Sequence, residues 1–133
     1  MATLPEGVGL SVAMQYTEKP TNTFLIDWTS RQIAGMDAGL AAMRQAVEII
    51  LRNERFRWQI YTSNFGSELE SLPGEEYEFI VSEIPRRVRD ACSVDHRILS
   101  ADAFEFSKNL DGSVTCFFTV NTVFGAIREE MTV

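Results

Sequence analysis

The sequence is poor in the residues that build metal sites and in long apolar runs. Its 133 residues include one histidine, His96, and two cysteines, Cys92 and Cys116, far apart and without a CxxC spacing. Such a pair forms no zinc motif, and its apolar neighbours predict two reduced, buried thiols. No apolar run approaches the roughly 20 residues that span a bilayer, and MATLPEGVGLSVAM lacks a basic signal-peptide region. We therefore predict no cofactor and no membrane partner.

Positive charge is also scarce. The chain has 12 Lys and Arg against 19 Asp and Glu, which gives a net charge of −7. A protein that binds duplex nucleic acid needs basic residues to neutralise phosphates, so this balance argues against a nucleic-acid partner. The length and the hydrophobic content of 45% fit one domain that buries most of its apolar surface.

The N-terminal part divides into an arm and the start of a domain. Residues 1–21 have no clear period and end in a turn signal, EKPTNT, which predicts an extended or mobile arm before a single domain of residues 22–133. TFLIDW and RQIAG, joined by TSR, predict a hairpin. Apolar residues at spacings of three and four then predict a helix over residues 37–53, capped by Asp37.

A second helical stripe starts after Gly74 and ends at Cys92. Pro85 lies inside it, which predicts either a kink near residues 81–84 or two helical pieces. Asp111-Gly112 lies between alternating runs and predicts a hairpin turn. The predicted fold class is therefore α+β, with two main helices packed on a small mixed or antiparallel sheet and a C-terminal β-meander.

RFRWQIYTSNFG, residues 55–66, mixes arginines with aromatic residues. Its alternation predicts a strand with Phe56 and Trp58 in the core, followed by a turn at Asn64 and Gly66. The same mixture is the recipe for stacking on single-stranded bases, so a nucleic-acid-binding module is one alternative function. The acidic chain favours the structural interpretation, in which the arginines face a protein partner.

Three glutamates suggest a different alternative. Glu68 and Glu70 share one face of an extended segment, and Glu54 is near them in the sequence. A glycosidase needs one carboxylic acid with a raised pKa and a second carboxylate across the scissile bond. Glutamates in a polar loop are ordinarily solvated, and we predict no catalytic residue.

His96 lies between Asp95 and Arg97. The neighbouring His96 and Asp95 invite comparison with a catalytic triad. No serine or cysteine stands in a nucleophile-elbow context such as GxSxG. We interpret His96 as a surface or turn residue, and Asp95 with Arg97 as an ion pair at the end of the second helix.

The order of four motifs resembles the baseplate-wedge family of contractile phage tails, and in particular its XkdS-type prophage branch. They are TFLID, GMDAGLAAMRQAVEIILRNERFRWQIYTSNFGSELESLPG, EIPRRVRDACSVDHRI and FTVNTVFG. The resemblance covers residues 22–127, and its most specific block is residues 39–74. It implies a structural baseplate component that joins the wedge and initiates sheath assembly. The family was once labelled tail-lysozyme-like, so a peptidoglycan-cleaving tail lysozyme is the alternative.

The resemblance also implies where this protein is found and what it binds. It implies a virion or phage-tail-like particle, made in the bacterial cytoplasm, which can be a phage, a bacteriocin or an injection system. The implied partners are other wedge proteins, sheath subunits and the tail tube or hub, with six copies of this chain per particle.

Most residues of the predicted partner interface follow from the same resemblance, whereas Arg55 and Arg57 follow from the enrichment of arginine at protein interfaces. The family's Glu-Pro-Arg signature falls on residues 95–97, which keep an acid and the arginine but lack the proline. Its aromatic-glycine turn falls on residues 61–66. Sheath subunits link through exchanged strands, so residues 113–130 are expected to dock the first sheath ring. The predicted interface residues are Asp95, Arg97, Arg55, Arg57, Tyr61, Asn64, Phe65, Gly66, Val120, Thr122, Phe124 and Gly125.

Overall fold

In the described part of the chain, two helices and two antiparallel sheets make up the fold. The computed structural model describes residue 17 and residues 19–133. The elements are β1 (Thr23–Asp27), β2 (Gln32–Asp37), α1 (Leu40–Arg52), α2 (Tyr77–Cys92), β3 (Ile98–Lys108), β4 (Val114–Thr122) and β5 (Gly125–Thr132). The predicted α+β class is confirmed, whereas most of the predicted arm of residues 1–21 lies outside the described residues.

The C-terminal meander forms a sheet with the strand order β3-β4-β5. The predicted turn at Asp111-Gly112 joins β3 to β4, and Gly112 takes a φ of +87°, which favours glycine. The Asp111 carboxylate accepts a hydrogen bond of 2.9 Å from the backbone N–H of Ser113. Alternate residues of β4 are buried, as the sequence pattern predicts: Val114, Cys116, Phe118, Val120 and Thr122.

Both helices contribute an apolar stripe to the core. The stripe of α1 buries Met43 and Val47, and that of α2 buries Ile80, Ile84 and Val88. Fully burying such a side chain contributes about 1.5–3 kcal/mol. This burial offsets the cost of a proline inside a helix, and α2 continues as one helix past the proline at position 85. Of the two predicted alternatives, a kink near residues 81–84 or two helical pieces, the second is therefore wrong.

The start of α1 also differs from the prediction. The helix begins at Leu40, its N-cap residue is Gly39, and no side chain caps it. Asp37 instead ends β2, where it pairs with Thr23 in the hairpin ladder. Its carboxylate accepts a 2.7 Å hydrogen bond from the backbone N–H of the next residue, Ala38. Strand pairing therefore holds Asp37 outside the helix that it was predicted to cap.

The β1-β2 hairpin, which the sequence predicts, lies against α1. The side-chain amide of Gln45 accepts a hydrogen bond from the N–H of Ile26 and donates one to the C=O of Phe24, both of 2.7 Å. Gln45 thus satisfies two backbone groups of β1 in the manner of a neighbouring strand. Trp28 donates a 2.8 Å hydrogen bond to Glu48, which fixes the tip of the hairpin to the same helix.

Residues 55–66 do not form the predicted strand. The chain forms a series of short turns instead. In these turns, a backbone N–H donates a hydrogen bond to the C=O three residues earlier, and the donors are Arg57, Tyr61 and Phe65. Phe56, at a φ of +69°, is 71% exposed and Trp58 is 56% exposed, so their predicted place in the core is wrong. Alternation produces a strand only where another strand edge is available for pairing, and these turns satisfy the backbone locally instead.

Candidate functional site

The free edge of β5 is the first candidate surface. Within the described residues, β5 pairs with β4 alone. Val133 extends that ladder by exchanging two backbone hydrogen bonds with Val114, of 2.9 and 3.0 Å. Because hydrogen bonding alternates along an antiparallel pair, Ala126, Arg128 and Glu130 turn their N–H and C=O groups away from β4. We call this row of backbone groups the β5 edge, and such an edge is a template for a further strand.

Four of the predicted interface residues lie at the end of β4 and in the β4-β5 turn. The hydroxyl of Thr122 donates a 2.7 Å hydrogen bond to the C=O of Gly125 and accepts one from the N–H of Phe124. Phe124 packs against the core. The side chain of Val120 is fully buried in the central strand. Thr122, Phe124 and Gly125 shape the turn that leads into the β5 edge.

The second surface is the DHR loop, residues 93–97, which follows α2. The guanidinium of Arg97 donates two hydrogen bonds to the Asp95 carboxylate, of 3.0 and 2.7 Å. Both side chains are mostly buried, and the hydrogen bonds from Arg97 hold the pKa of Asp95 below its usual range. The predicted ion pair is confirmed, and His96 is exposed as expected. Charge-assisted pairs of this geometry rigidify a loop.

The DHR loop is tied to the β4-β5 turn and to the chain before α2. The C=O of Arg97 accepts a 2.9 Å hydrogen bond from the N–H of Val123. A pocket of about 390 Å³ has Asp95 and Arg97 on one side, with Phe65 and Ile50 among its other lining residues. The structure thus brings together the two groups of residues that the family resemblance selects, although 30 positions separate Phe65 from Asp95 in the numbering.

The third surface is the aromatic loop, residues 54–66. Its ends are joined by backbone hydrogen bonds from Arg55 to Ser67 (2.9 Å) and from Ser67 to Asn53 (2.8 Å). Phe65 stacks on Tyr61, with ring centroids 4.4 Å apart. Compact loops with joined ends are frequently functional. Three large apolar side chains are more than half exposed on this loop: Phe56, Trp58 and Ile60.

Glutamates neutralise the two arginines of the aromatic loop. Arg57 donates two hydrogen bonds to the Glu70 carboxylate, which raises the pKa of Arg57. Arg55 lies 3.7 Å from a carboxylate oxygen of Glu68. Nucleic-acid binding requires cations that face phosphates, whereas these two face carboxylates of their own chain. Glu54 accepts a hydrogen bond from a backbone N–H in the same cluster, so all three glutamates of the enzymatic alternative have protein contacts.

Glu129 is a residue that the sequence reasoning missed. It lies on the inner face of β5 between Ile127 and Met131, and its side chain is only 9% exposed. Burial, together with the nearby charge of Glu48, raises the pKa of Glu129 to about 7, against the lowering effect of Arg44. The sequence contains a signal for it. Every second side chain of a strand lies on the same face, so Glu129 is an acid at a position where Ile127 and Met131 predict an apolar residue.

Burial also raises the thiol pKa of both cysteines. Both are free and buried, as predicted, and desolvation raises the thiol pKa of Cys92 to about 11 and that of Cys116 to about 12. The described residues contain no group of three or more His, Cys, Asp or Glu side chains that could hold a metal ion. In the same part of the chain, no helix is long and apolar enough to cross a membrane.

Comparison with known proteins gives two matches. The family model described as "Contractile injection system sheath initiator" matches residues 20–125. The phage-like element PBSX protein XkdS of Bacillus subtilis (strain 168) is 32% identical over 114 residues, which cover 83% of this chain and 80% of that protein. The family match includes the aromatic loop, the DHR loop and all of β4.

Proposed function

This chain belongs to the contractile injection system sheath initiator family, and we propose that it starts sheath assembly by pairing its β5 edge with a strand of a sheath subunit. Sheath and baseplate proteins are the partners that family membership implies. The role is structural, and the similarity to XkdS, a protein of the phage-like element PBSX, supports a phage-like contractile particle as the location. Six copies per particle is a further part of the proposal that depends on the resemblance alone.

One observation carries the strand-pairing mechanism. β5 offers a continuous row of backbone donors and acceptors on the side away from β4. An added strand satisfies such a row with main-chain hydrogen bonds, and its alternate side chains provide specificity. The core beneath β5 is already packed, since Ile127 is buried in the hydrophobic cluster to which both helices and β4 also contribute. Docking on this edge would therefore require little rearrangement of the chain.

We also propose that the aromatic loop and the DHR loop bind the baseplate wedge. Three large apolar side chains are exposed on the aromatic loop, and its Phe65 lines one pocket with Asp95 and Arg97. The hydrogen bond from Val123 to Arg97 connects this region to the start of β5. A single rigid body would then carry a wedge-binding surface and a sheath-binding edge. The predicted contacts of Arg55, Arg57, Tyr61 and Asn64 belong to this proposal.

The β5 edge can be tested by removing one of its donors. Glu130 is exposed, and its N–H faces away from β4, so proline there removes an outward donor while the β4 ladder is retained. The matched control is Glu130→Ala, which removes the same side chain and keeps the N–H. We expect Glu130→Pro to weaken binding to the purified sheath subunit of the same particle by about tenfold or more. Equal binding of wild type and both variants would contradict strand pairing on β5.

The enzymatic alternative has a separate test. A peptidoglycan-cleaving lysozyme would act through Glu54, Glu68 or Glu70, and glutamine at all three positions would abolish its activity. We expect particles that carry the triple variant to retain their function, because the proposed role needs no acid catalyst. Loss of peptidoglycan cleavage together with loss of infection or killing would instead support the lysozyme.

A further inference from the structure

We propose that Glu129 is the acceptor for a lysine or arginine side chain on the inward face of the strand that docks on the β5 edge. Glu129 would thereby select both the sheath strand and its register. This inference rests on the proposed function, and it adds the chemistry of the partner residue to it.

The first support is a carboxylate oxygen that lacks a partner. Oε1 of Glu129 is buried and makes no hydrogen bond to any residue that the structure describes. Its nearest cation is Arg44, whose Nε lies 4.0 Å away, too far for a hydrogen bond. Arg44 is itself 52% exposed, so it neutralises this carboxylate weakly. Buried carboxylates are normally paired, and this one has room for a second cation.

The second support is a pocket beside Glu129. It has a volume of about 450 Å³, and its walls come from α1, residues 69–73 and β5. No residue of β4 lines the pocket, which supports an opening on the free side of β5. Apolar side chains such as Leu51, Leu69 and Met131 form part of the wall, and Glu48 adds a second carboxylate. An aliphatic stem with a cationic head fits such a lining.

The charges around Glu129 favour a cation over a neutral group. On α1, Glu48 raises the pKa of Glu129 and Arg44 lowers it, while Arg52 on the pocket wall lies over the ring of Trp28, 4.4 Å from its centroid. In β4, the residue opposite Glu129 is the buried apolar Phe118. Burial of Glu129 without a close partner disfavours its charged form, and an incoming cation would reverse that effect.

Strand geometry places the cation within reach. A strand that is added to β5 lies about 4.7–4.9 Å away and points every second side chain toward the inner face. A residue directly opposite Glu129 has its Cβ about 4.5–5.5 Å from the Cβ of Glu129, which suits a lysine or an arginine. A slip by one residue would send that side chain to the outer face, so one basic residue fixes the register.

The test measures how the purified sheath subunit binds to the full-length chain at about pH 8. We expect Glu129→Gln to weaken binding about tenfold or more, because the isosteric amide cannot neutralise a buried cation. The matched control is Glu78→Gln, which removes the same charge from an exposed position in α2, away from β5. It should leave binding unchanged. Thermal unfolding of each variant checks that it is folded.

A charge reversal identifies the partner residue. In this chain, Glu129→Lys should abolish binding, and one Lys→Glu or Arg→Glu substitution in a terminal strand of the sheath subunit should restore it. Unchanged binding of Glu129→Gln, or failure of every reversal to restore binding, would overturn the inference. If the wild-type chain itself fails to bind the sheath subunit, the proposed function fails instead, so the two failures are distinguishable.

Discussion

Gly66 passes so close to Asn53 that a Cβ at position 66 would lie 2.7 Å from the Asn53 carbonyl oxygen. The same Cβ would lie 2.9 Å from the backbone N of Arg55, and Gly66 has a φ of +108°. This contact closes the aromatic loop, since Asn53 accepts the backbone hydrogen bond of Ser67, the next residue. Only glycine allows the two ends of the loop to approach this closely.

We therefore expect Gly66→Ala to lower the free energy of unfolding by about 2–4 kcal/mol, because it adds a backbone clash to the strain of a positive φ. Urea unfolding followed by circular dichroism would measure the loss. Gly74→Ala is the matched control, with a φ of +90° and no atom within 4 Å of the added Cβ. It should cost about 1 kcal/mol. Equal losses for the two variants would contradict the close approach.

The Asp95–Arg97 pair predicts a dependence of stability on pH. The pKa of Asp95 is lowered in the folded chain, so its contribution is present above the unfolded value of about 4 and is lost as the pH falls through the folded pKa. We expect Asp95→Asn to cost about 1–3 kcal/mol at pH 7 and less at pH 3. Asp90→Asn is the control, since Asp90 is exposed and makes one 3.4 Å contact with Arg86. A loss at pH 7 no larger than that of the control would argue against the pair.

Glu129 predicts the opposite dependence. Its folded pKa of about 7 lies above the unfolded value of about 4.3, so the folded state binds the extra proton and wild-type stability falls as the pH rises from 5 to 8. The shift sets a ceiling of about 3–4 kcal/mol on this change. Glu129→Gln should remove the dependence, and it should be more stable than wild type at pH 8 while nearly equal at pH 5. If the free energy of unfolding changed with pH in the same way in both proteins, that result would contradict a buried, weakly paired carboxylate.

Substitutions in the aromatic loop are predicted to weaken binding to a partner without affecting the stability of the fold. Trp58 and Ile60 are exposed, so Trp58→Ser with Ile60→Ser should change the free energy of unfolding by less than about 1 kcal/mol. The same double variant should bind purified wedge proteins about tenfold or more weakly, since exposed aromatic and aliphatic anchors dominate interfaces. Leu110→Ser is the control, because Leu110 is fully exposed in the β3-β4 turn, outside the aromatic loop. A double variant that binds wedge proteins as wild type does would exclude this loop from the interface.

Much of the fold follows from local patterns in the sequence. The turn at Asp111-Gly112 and the buried face of β4 were predicted because period-two alternation and a glycine with positive φ act over a few residues. Three- and four-residue spacing located both helices in the same way. The resemblance drawn from the motif order is also confirmed, since the family match spans residues 20–125.

The predictions that failed depended on pairing between residues far apart in the chain, which a local sequence pattern does not indicate. Residues 55–62 alternate as a strand does, but local turns satisfy their backbone and expose Phe56 and Trp58. Asp37 has the chemistry of a helix cap, yet pairing with Thr23 holds it in β2. Phe65 lines the same pocket as Asp95 and Arg97. This arrangement likewise depends on how α1 and α2 pack, which periodicity alone does not determine.

The most direct measurement is negative-stain electron microscopy of particles from cells that lack this gene and are complemented with wild type, Glu130→Ala or Glu130→Pro. Wild type and Glu130→Ala should give sheathed particles. Glu130→Pro and the uncomplemented deletion should both give baseplates with bare tubes or loose, unattached sheath, because neither offers a β5 edge that accepts the first sheath strand. Normal sheathed particles from Glu130→Pro or from the uncomplemented deletion would contradict initiation at this edge.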